Sequence, residues 1–183
     1  EDDVINAQEA GDDVAIVVTV SNGPSAATTV VTVLVDDVGH VATPNGDGTW
    51  TALVPGDVLA EAATQTVTAE VVFSDAAGNA SDPVAGTKDY TVDTQAPSTT
   101  LELSDPEGDN IPTAGGVTEP GATVVVTWPD GATSEVEADG TTGEWSVTAP
   151  GAQETGPVTV VVTDEAGNPG TVTDTWTADG QAP

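Results

Sequence analysis

Apolar and polar residues alternate over short stretches along the whole chain, each stretch closed by Gly, Asn, Pro or Asp. This is the pattern of half-buried β-strands joined by turns. It predicts strands over 14–20, 28–35, 38–43, 49–54, 65–73 and 88–92, and again over 99–103, around Val117, and over 123–128, 133–137, 144–148, 157–163 and 171–177. Val and Thr dominate them, as expected of β-branched side chains on a pleated surface. Pro44-Asn45-Gly46-Asp47-Gly48 is the strongest turn signal and predicts a hairpin, with a counterpart at Asp139-Gly140-Thr141-Thr142-Gly143. One stretch breaks the pattern. At 57–63 either Asp57 caps a short helical turn or the chain makes a structured crossover loop.

The strand list repeats itself. Asp75-Ala76-Ala77-Gly78-Asn79 returns as Asp164-Glu165-Ala166-Gly167-Asn168, Gly-Thr-Trp50 as Gly-Glu-Trp145, Pro55 as Pro150, and Gln95-Ala96-Pro97 as Gln181-Ala182-Pro183. A period of about 90 residues suits a domain that folds by itself. Two domains are therefore expected, at 1–93 and 94–183. About seven strands per repeat with closely spaced turns fit an all-β chain of two tandem immunoglobulin-like sandwiches. Glu1-Asp2-Asp3-Val4-Ile5-Asn6 aligns with Glu107-Gly108-Asp109-Asn110-Ile111-Pro112, and only repeat two has a strand-like stretch ahead of that point. Repeat one is thus expected to begin late, its first strand missing or left on a preceding repeat of a longer array.

Composition sharpens this picture. Aromatic residues make up 3%, so Val, Ala, Leu and Thr must fill two small cores, and Cys is absent. Metal ions or neighbouring repeats are the remaining ties. Trp50 and Trp145, on equivalent strands, are read as core residues. Among 183 residues, 31 are Asp or Glu and one is Lys or Arg, a formal net charge of -30. Lys88 alone can form an internal ion pair. The remaining carboxylates must be hydrated, hydrogen-bonded or bound to cations. Nucleic acid is excluded as a partner and an acidic membrane surface is disfavoured. No apolar run approaches the roughly 20 residues of a membrane span. No secretory signal pattern is present, so export is expected as part of a longer chain. The charge favours a monomer.

Strand alternation assigns the loops to ends. In repeat two the loop Glu119-Pro120-Gly121-Ala122, the loop beginning at Asp164 and the entering linker with Asp93 converge on one end. Loops of repeat one bring Asp2, Asp3, Glu9, Asp36 and Asp37 towards the same joint, and Asp109, aligned with Asp3, joins the candidates. Hard oxygen ligands without Cys, beside Gly-Asn carbonyls, suit Ca²⁺ and disfavour Zn²⁺. His40, the one imidazole, reads as a surface residue. Asp75 and Asp164 equally suit turn initiation, and most of the acids are expected to be solvated.

The order Glu-Pro-Gly-Ala-Thr-Val-Val-Val, Asp-Gly, Gly-Glu-Trp-Ser-Val, Val-Thr-Asp-Glu-Ala-Gly-Asn and Val-Asp-Thr-Gln-Ala-Pro resembles the bacterial Ig-like extender repeats of giant Gram-negative surface adhesins, of the repeats-in-toxin and biofilm-associated types. The resemblance covers both repeats. It implies a spacer on the bacterial cell surface, stiffened by Ca²⁺ at its linkers and partnered by neighbouring Ig-like repeats of the same chain. Carried over by motif, the ligands are Asp93, Glu119 and Asp164, with Asp75 in repeat one. Repeat one departs from the pattern, with Ser21-Asn22-Gly23-Pro24 where repeat two has Glu-Pro-Gly. A carbohydrate- or surface-binding module is the alternative, and an exposed Trp128 or Trp176 would favour it. An enzyme is not expected: the chain has no Cys, one His and no Gly-x-Ser-x-Gly, and alternation puts Glu135 and Glu137 on one solvated face.

Overall fold

Along Thr28–Val35 every second side chain from Val31 onwards is sealed from solvent, and Val124, Val126, Val158, Val160 and Val162 are sealed in the same way. Period-two patterning thus places one face of each strand in a core. The computed structural model describes residues 3–21 and 28–179, so Asp2, the Asn22-Gly23-Pro24 stretch and the final Gln-Ala-Pro lie outside the described residues. Two compact units are present, Glu1–Thr94 and Gln95–Pro183.

In repeat one, β1 (Val4–Ile5), β2 (Asp13–Thr19), β3 (Thr28–Val35), β4 (Val38–Val41), β5 (Thr43–Pro44), β6 (Thr49–Pro55), β7 (Thr66–Ser74), β8 (Val84–Asp89) and β9 (Thr91–Val92) make two facing sheets and a short ribbon. The sheets run β2-β6-β5 and β4-β3-β7-β8, and β1 pairs parallel with β9. Asp36 and Asp37 turn β3 into β4 with φ of 45 and 65. Two consecutive left-handed residues are what a tight two-residue hairpin requires, and Asp tolerates them better than most. The crossover after β6 is a helix, α1 (Gly56–Glu61), and Asp57 lies inside its first turn rather than at the N-cap, which is Pro55. Gly56 is obligatory there, because a Cβ would stand 1.7 Å from the carbonyl oxygen of Glu9. The last strand, expected over 88–92, starts earlier and breaks at Tyr90. Its backbone N–H donates to Gln65 and its hydroxyl to the Leu59 carbonyl at 2.7 Å, which moves the chain from β7 to β1.

Repeat two contains β10 (Glu102–Ser104), β11 (Thr113–Val117), β12 (Thr123–Thr127), β13 (Thr133–Glu137), β14 (Glu144–Thr148), β15 (Gly156–Thr163) and β16 (Pro169–Trp176). Its sheets run β10-β11-β14 and β13-β12-β15-β16, the seven-strand immunoglobulin-like order. Trp128, Trp145 and Trp176 are 1%, 4% and 8% exposed and pack with the core valines. Trp50, by contrast, is only half-buried. The segment that crosses above β11 beside Trp145 has no counterpart over β2 among the described residues of repeat one.

Candidate metal centre

Asp164 follows β15 directly, and the turn it starts is built from its own carboxylate. The Oδ1 atom accepts the Asn168 backbone N–H at 2.8 Å and Oδ2 accepts the Asn168 side-chain amide at 2.9 Å. Gly167 supplies the positive φ that closes the loop. Asp164 is 8% exposed and Asn168 1%. Pro97, itself buried, lies against the start of β16, where a Cβ on Gly170 would stand 2.2 Å from its carbonyl oxygen. The segment leading into repeat two therefore passes beside the strand that follows the turn.

Asp75 repeats the turn without the cover. Its Oδ1 accepts from Ala77 and Asn79 and its Oδ2 from the Asn79 amide, each at 2.9 Å, yet it is exposed. The Asn79 side chain first, then the backbone N–H groups, hold its carboxyl below the ordinary range. Both words thus initiate turns, as Asp-Gly-Asn chemistry predicts. Turn formation does not consume the carboxylates, although Oδ1 of Asp75 accepts twice and only its Oδ2 keeps a second lone pair.

Other candidates are engaged singly. Asp3 pairs with Lys88 at 2.6 Å, Glu9 accepts the Asn6 N–H at 3.2 Å, and Asp109 accepts the Ile111 N–H at 3.0 Å. Asp36 accepts Ala63 N–H at 2.7 Å and the Thr64 hydroxyl at 3.1 Å; the Ala63 bond leads in holding its carboxyl low. Asp37 is exposed beside it, and the two share a surface hollow with Glu70. Asp3 and Glu9 share a different groove, so within repeat one the acids form two separate groups. In repeat two Glu119 is exposed at the turn closed by the Ala122 N–H. Asp93 is exposed and its backbone N–H donates to Ile5 at 3.0 Å. Among the described residues no three of His, Cys, Asp and Glu gather closely enough to hold a metal ion by themselves. Sequence reading passed over Asp105, whose carboxylate gathers the N–H groups of Gly108, Asp109 and Asn110 and shapes the loop ahead of Ile111. The Asp-Pro-Glu-Gly stretch there is the signal that could have found it.

Trp128 and Trp176 are packed in the core, so neither offers the accessible face that a sugar platform needs. No helix is long and apolar enough to cross a membrane.

The family described as Bacterial Ig domain matches residues 96–179. Repeat two belongs to the bacterial Ig domains. As a whole it is similar to a solved portion of a 1.5-MDa bacterial ice-binding adhesin concerned with host cell surface retention, at 28% identity and a TM-score of 0.61, covering 97% of this chain and 60% of that one. It is also similar to a Ca²⁺-stabilized adhesin with which an Antarctic bacterium reaches out and binds ice, at 30% identity and a TM-score of 0.64, covering 97% of this chain and 46% of that one. A bacterial immunoglobulin-like domain of the M. primoryensis ice-binding adhesin matches at 37% identity, over 50% of this chain and 87% of that one, with a TM-score of 0.44. The chain thus spans less than two thirds of the first two. No curated protein sequence matches it.

Proposed function

We propose that the chain is a non-enzymatic spacer of a bacterial cell-surface adhesin, in which Ca²⁺ held at the interdomain linker turns a jointed string of Ig domains into a stiff rod. The observation that carries the reading is the buried carboxylate of Asp164 in a chain whose one cationic side chain, Lys88, is engaged with Asp3. A buried carboxylate without a counter-charge is costly, and a hard cation removes that cost. Asn168 holds the carboxylate in place by one lone pair on each oxygen and leaves the others for the ion. Similarity along 97% of the chain to a Ca²⁺-stabilized adhesin supports the choice of metal.

Asp164 would supply carboxylate oxygen to the ion, with Asp93 and Glu119 added by motif alone. Since no three acids gather by themselves among the described residues, backbone carbonyls would have to complete the oxygen shell that Ca²⁺ prefers. When bound, the ion supplies charge neutralisation and a cross-link between separate stretches of chain. Affinity of about 10⁻⁴ to 10⁻³ M, usual for extracellular modules, suffices outside a cell and leaves the sites empty in cytosol. The natural partners are neighbouring repeats of the same chain.

Small-angle scattering in excess EDTA and in about millimolar Ca²⁺ tests the reading, on the native chain and on Asp93→Ala with Glu119→Ala. Those two residues are exposed, so their loss leaves the fold intact. The maximum dimension is expected to rise with Ca²⁺, not with Mg²⁺ or matched salt, and only in the native chain. Equal dimensions in both buffers would sink the rigid-spacer reading.

A further inference from the structure

The turn between β5 and β6 carries the pair Asn45-Gly46, and both residues are exposed. Gly46 has a φ of 87, and a Cβ built on it would meet nothing within 4 Å. The Asn45 backbone N–H donates to the Thr49 carbonyl at 2.9 Å, whereas the Gly46 N–H has no acceptor among the described residues. The Asn45 side-chain amide donates to the hydroxyls of Thr49 and Thr51, each at 2.9 Å, and the Thr49 hydroxyl donates to Asp47 Oδ1 at 2.6 Å. Elsewhere the nitrogen that follows an Asn is less open. Pro169 after Asn168 has no N–H. Ile111 after Asn110 gives its N–H to Asp109 at 3.0 Å and carries a branched Cβ. Ala80 after Asn79 is bridged to Ser74. Ala7 after Asn6 carries a Cβ, and the Asn6 Oδ1 is committed to the N–H groups of Gln8 and Glu9.

We propose that Asn45-Gly46 is a site of spontaneous deamidation, with solvent water as the only co-reactant. The Gly46 nitrogen loses its proton and attacks Cγ of Asn45. The new N–C bond closes a succinimide ring as the Cγ–Nδ2 bond breaks, and Nδ2 leaves as ammonia with the proton that Gly46 lost. Water then opens the ring at Cγ, which leaves an aspartate, or at the Asn45 main-chain carbonyl, which routes the backbone through the side chain as isoaspartate. The net reaction takes up one water and releases one ammonia, with no change of oxidation state. Glycine suits the step because no Cβ crowds the approach and φ turns freely. The neighbouring pair Asp47-Gly48 is spared. The Thr49 hydroxyl first, then its N–H, holds the Asp47 carboxyl below the ordinary range, and a carboxylate resists attack by a nucleophile. Conversion loosens the turn. Nδ2 takes its bonds to Thr49 and Thr51 with it, and the new carboxylate faces a Thr49 hydroxyl whose proton is already given to Asp47. Isoaspartate also adds a backbone atom beside the pairing of Pro44 with Trp50. This inference is independent of Ca²⁺ binding.

The test is incubation of the folded full chain in mildly alkaline buffer, where the Gly46 nitrogen loses its proton more readily. Peptide mapping by mass spectrometry and methyl labelling with an isoaspartyl methyltransferase then locate the products. The peptide holding Asn45 is expected to gain aspartate and isoaspartate about tenfold or more faster than those holding Asn6, Asn79, Asn110 and Asn168. Asn45→Gln, which the backbone accepts because φ at 45 is not left-handed, is expected to leave that peptide unconverted. In the converted chain the amide at position 45 is expected to exchange about tenfold faster, while β12 and β15 stay protected. Conversion at Asn45 no faster than at Asn79 overturns the proposal, as does a gain confined to Asn22. Conversion seen only in urea overturns it too, since the reaction would then belong to the unfolded chain and not to the exposed turn.

Discussion

Trp128 of repeat two and Val33 of repeat one hold the same place. Aligning the Asp164 and Asp75 turns makes Val162 equivalent to Phe73, and the pairings of β12 with β15 and of β3 with β7 then superpose the two. The same register sets Trp176 against Lys88. Repeat two thus fills its sandwich with three indoles, and repeat one has one, half-buried. Repeat one instead has a longer crossover from Pro55 to Thr66, whose helix α1 brings in Leu59, 1% exposed. The same strand frame thus accepts two ways of filling its core, from the sheets or from the crossover.

Truncating the largest sheet-borne filler tests this most severely. Trp128→Ala removes a sealed indole whose Nε1 donates to Ser134, and should cost repeat two about 3–5 kcal/mol. Urea titration followed by resolved amide signals of each unit should show repeat two melting early and repeat one at its original midpoint. Loss of both together would mean that the two units share one cooperative core.

A smaller change tests closure. Gly116→Val gives repeat two the residue that repeat one has at Val18, and its side chain collides with Thr100. Overpacking of this kind costs about 1–3 kcal/mol. Fast amide exchange along β10, with β12 and β15 still protected, is the expected result; an unchanged β10 would mean that this strand does not depend on the close approach.

The strands were legible because alternation is a local signal, and Thr28–Val35, Thr133–Glu137 and Glu144–Thr148 fall where the pattern puts them. What fills the core was less so. Trp50 and Trp145 share a motif and a strand, and only neighbours distant in sequence decide that one is sealed and the other half-exposed. The helix α1 stayed one of two readings because six residues are too few for a periodic signal. The acids were legible as turn formers, Asp75 and Asp164 through Gly-Asn. Asp164 is buried and Asp75 exposed although both stand in the same word, so the burial could not be read from the word itself.

The smallest expected difference is in acid. The Thr49 hydroxyl and N–H hold Asp47 below the ordinary carboxyl range, and Asp36 and Asp75 are held low as described, all in repeat one. In repeat two the Thr142 and Thr141 N–H groups do the same for Asp139. A carboxyl with a depressed pKa in the folded state stabilises it above the unfolded value of about 3.9, and that contribution fades as pH falls through the folded pKa. Neutralising the other carboxylates relieves repulsion in both units alike, so the readout is the difference between them. Between about pH 6 and about pH 3 the urea midpoint of repeat one should shift downward relative to that of repeat two. The effect is modest because all four groups face solvent, where screening weakens it. Asp47→Asn should shrink the difference, since the amide keeps an oxygen for Thr49 but loses the charge that acid removes. Parallel shifts of both midpoints would mean that these turns contribute nothing that distinguishes the repeats.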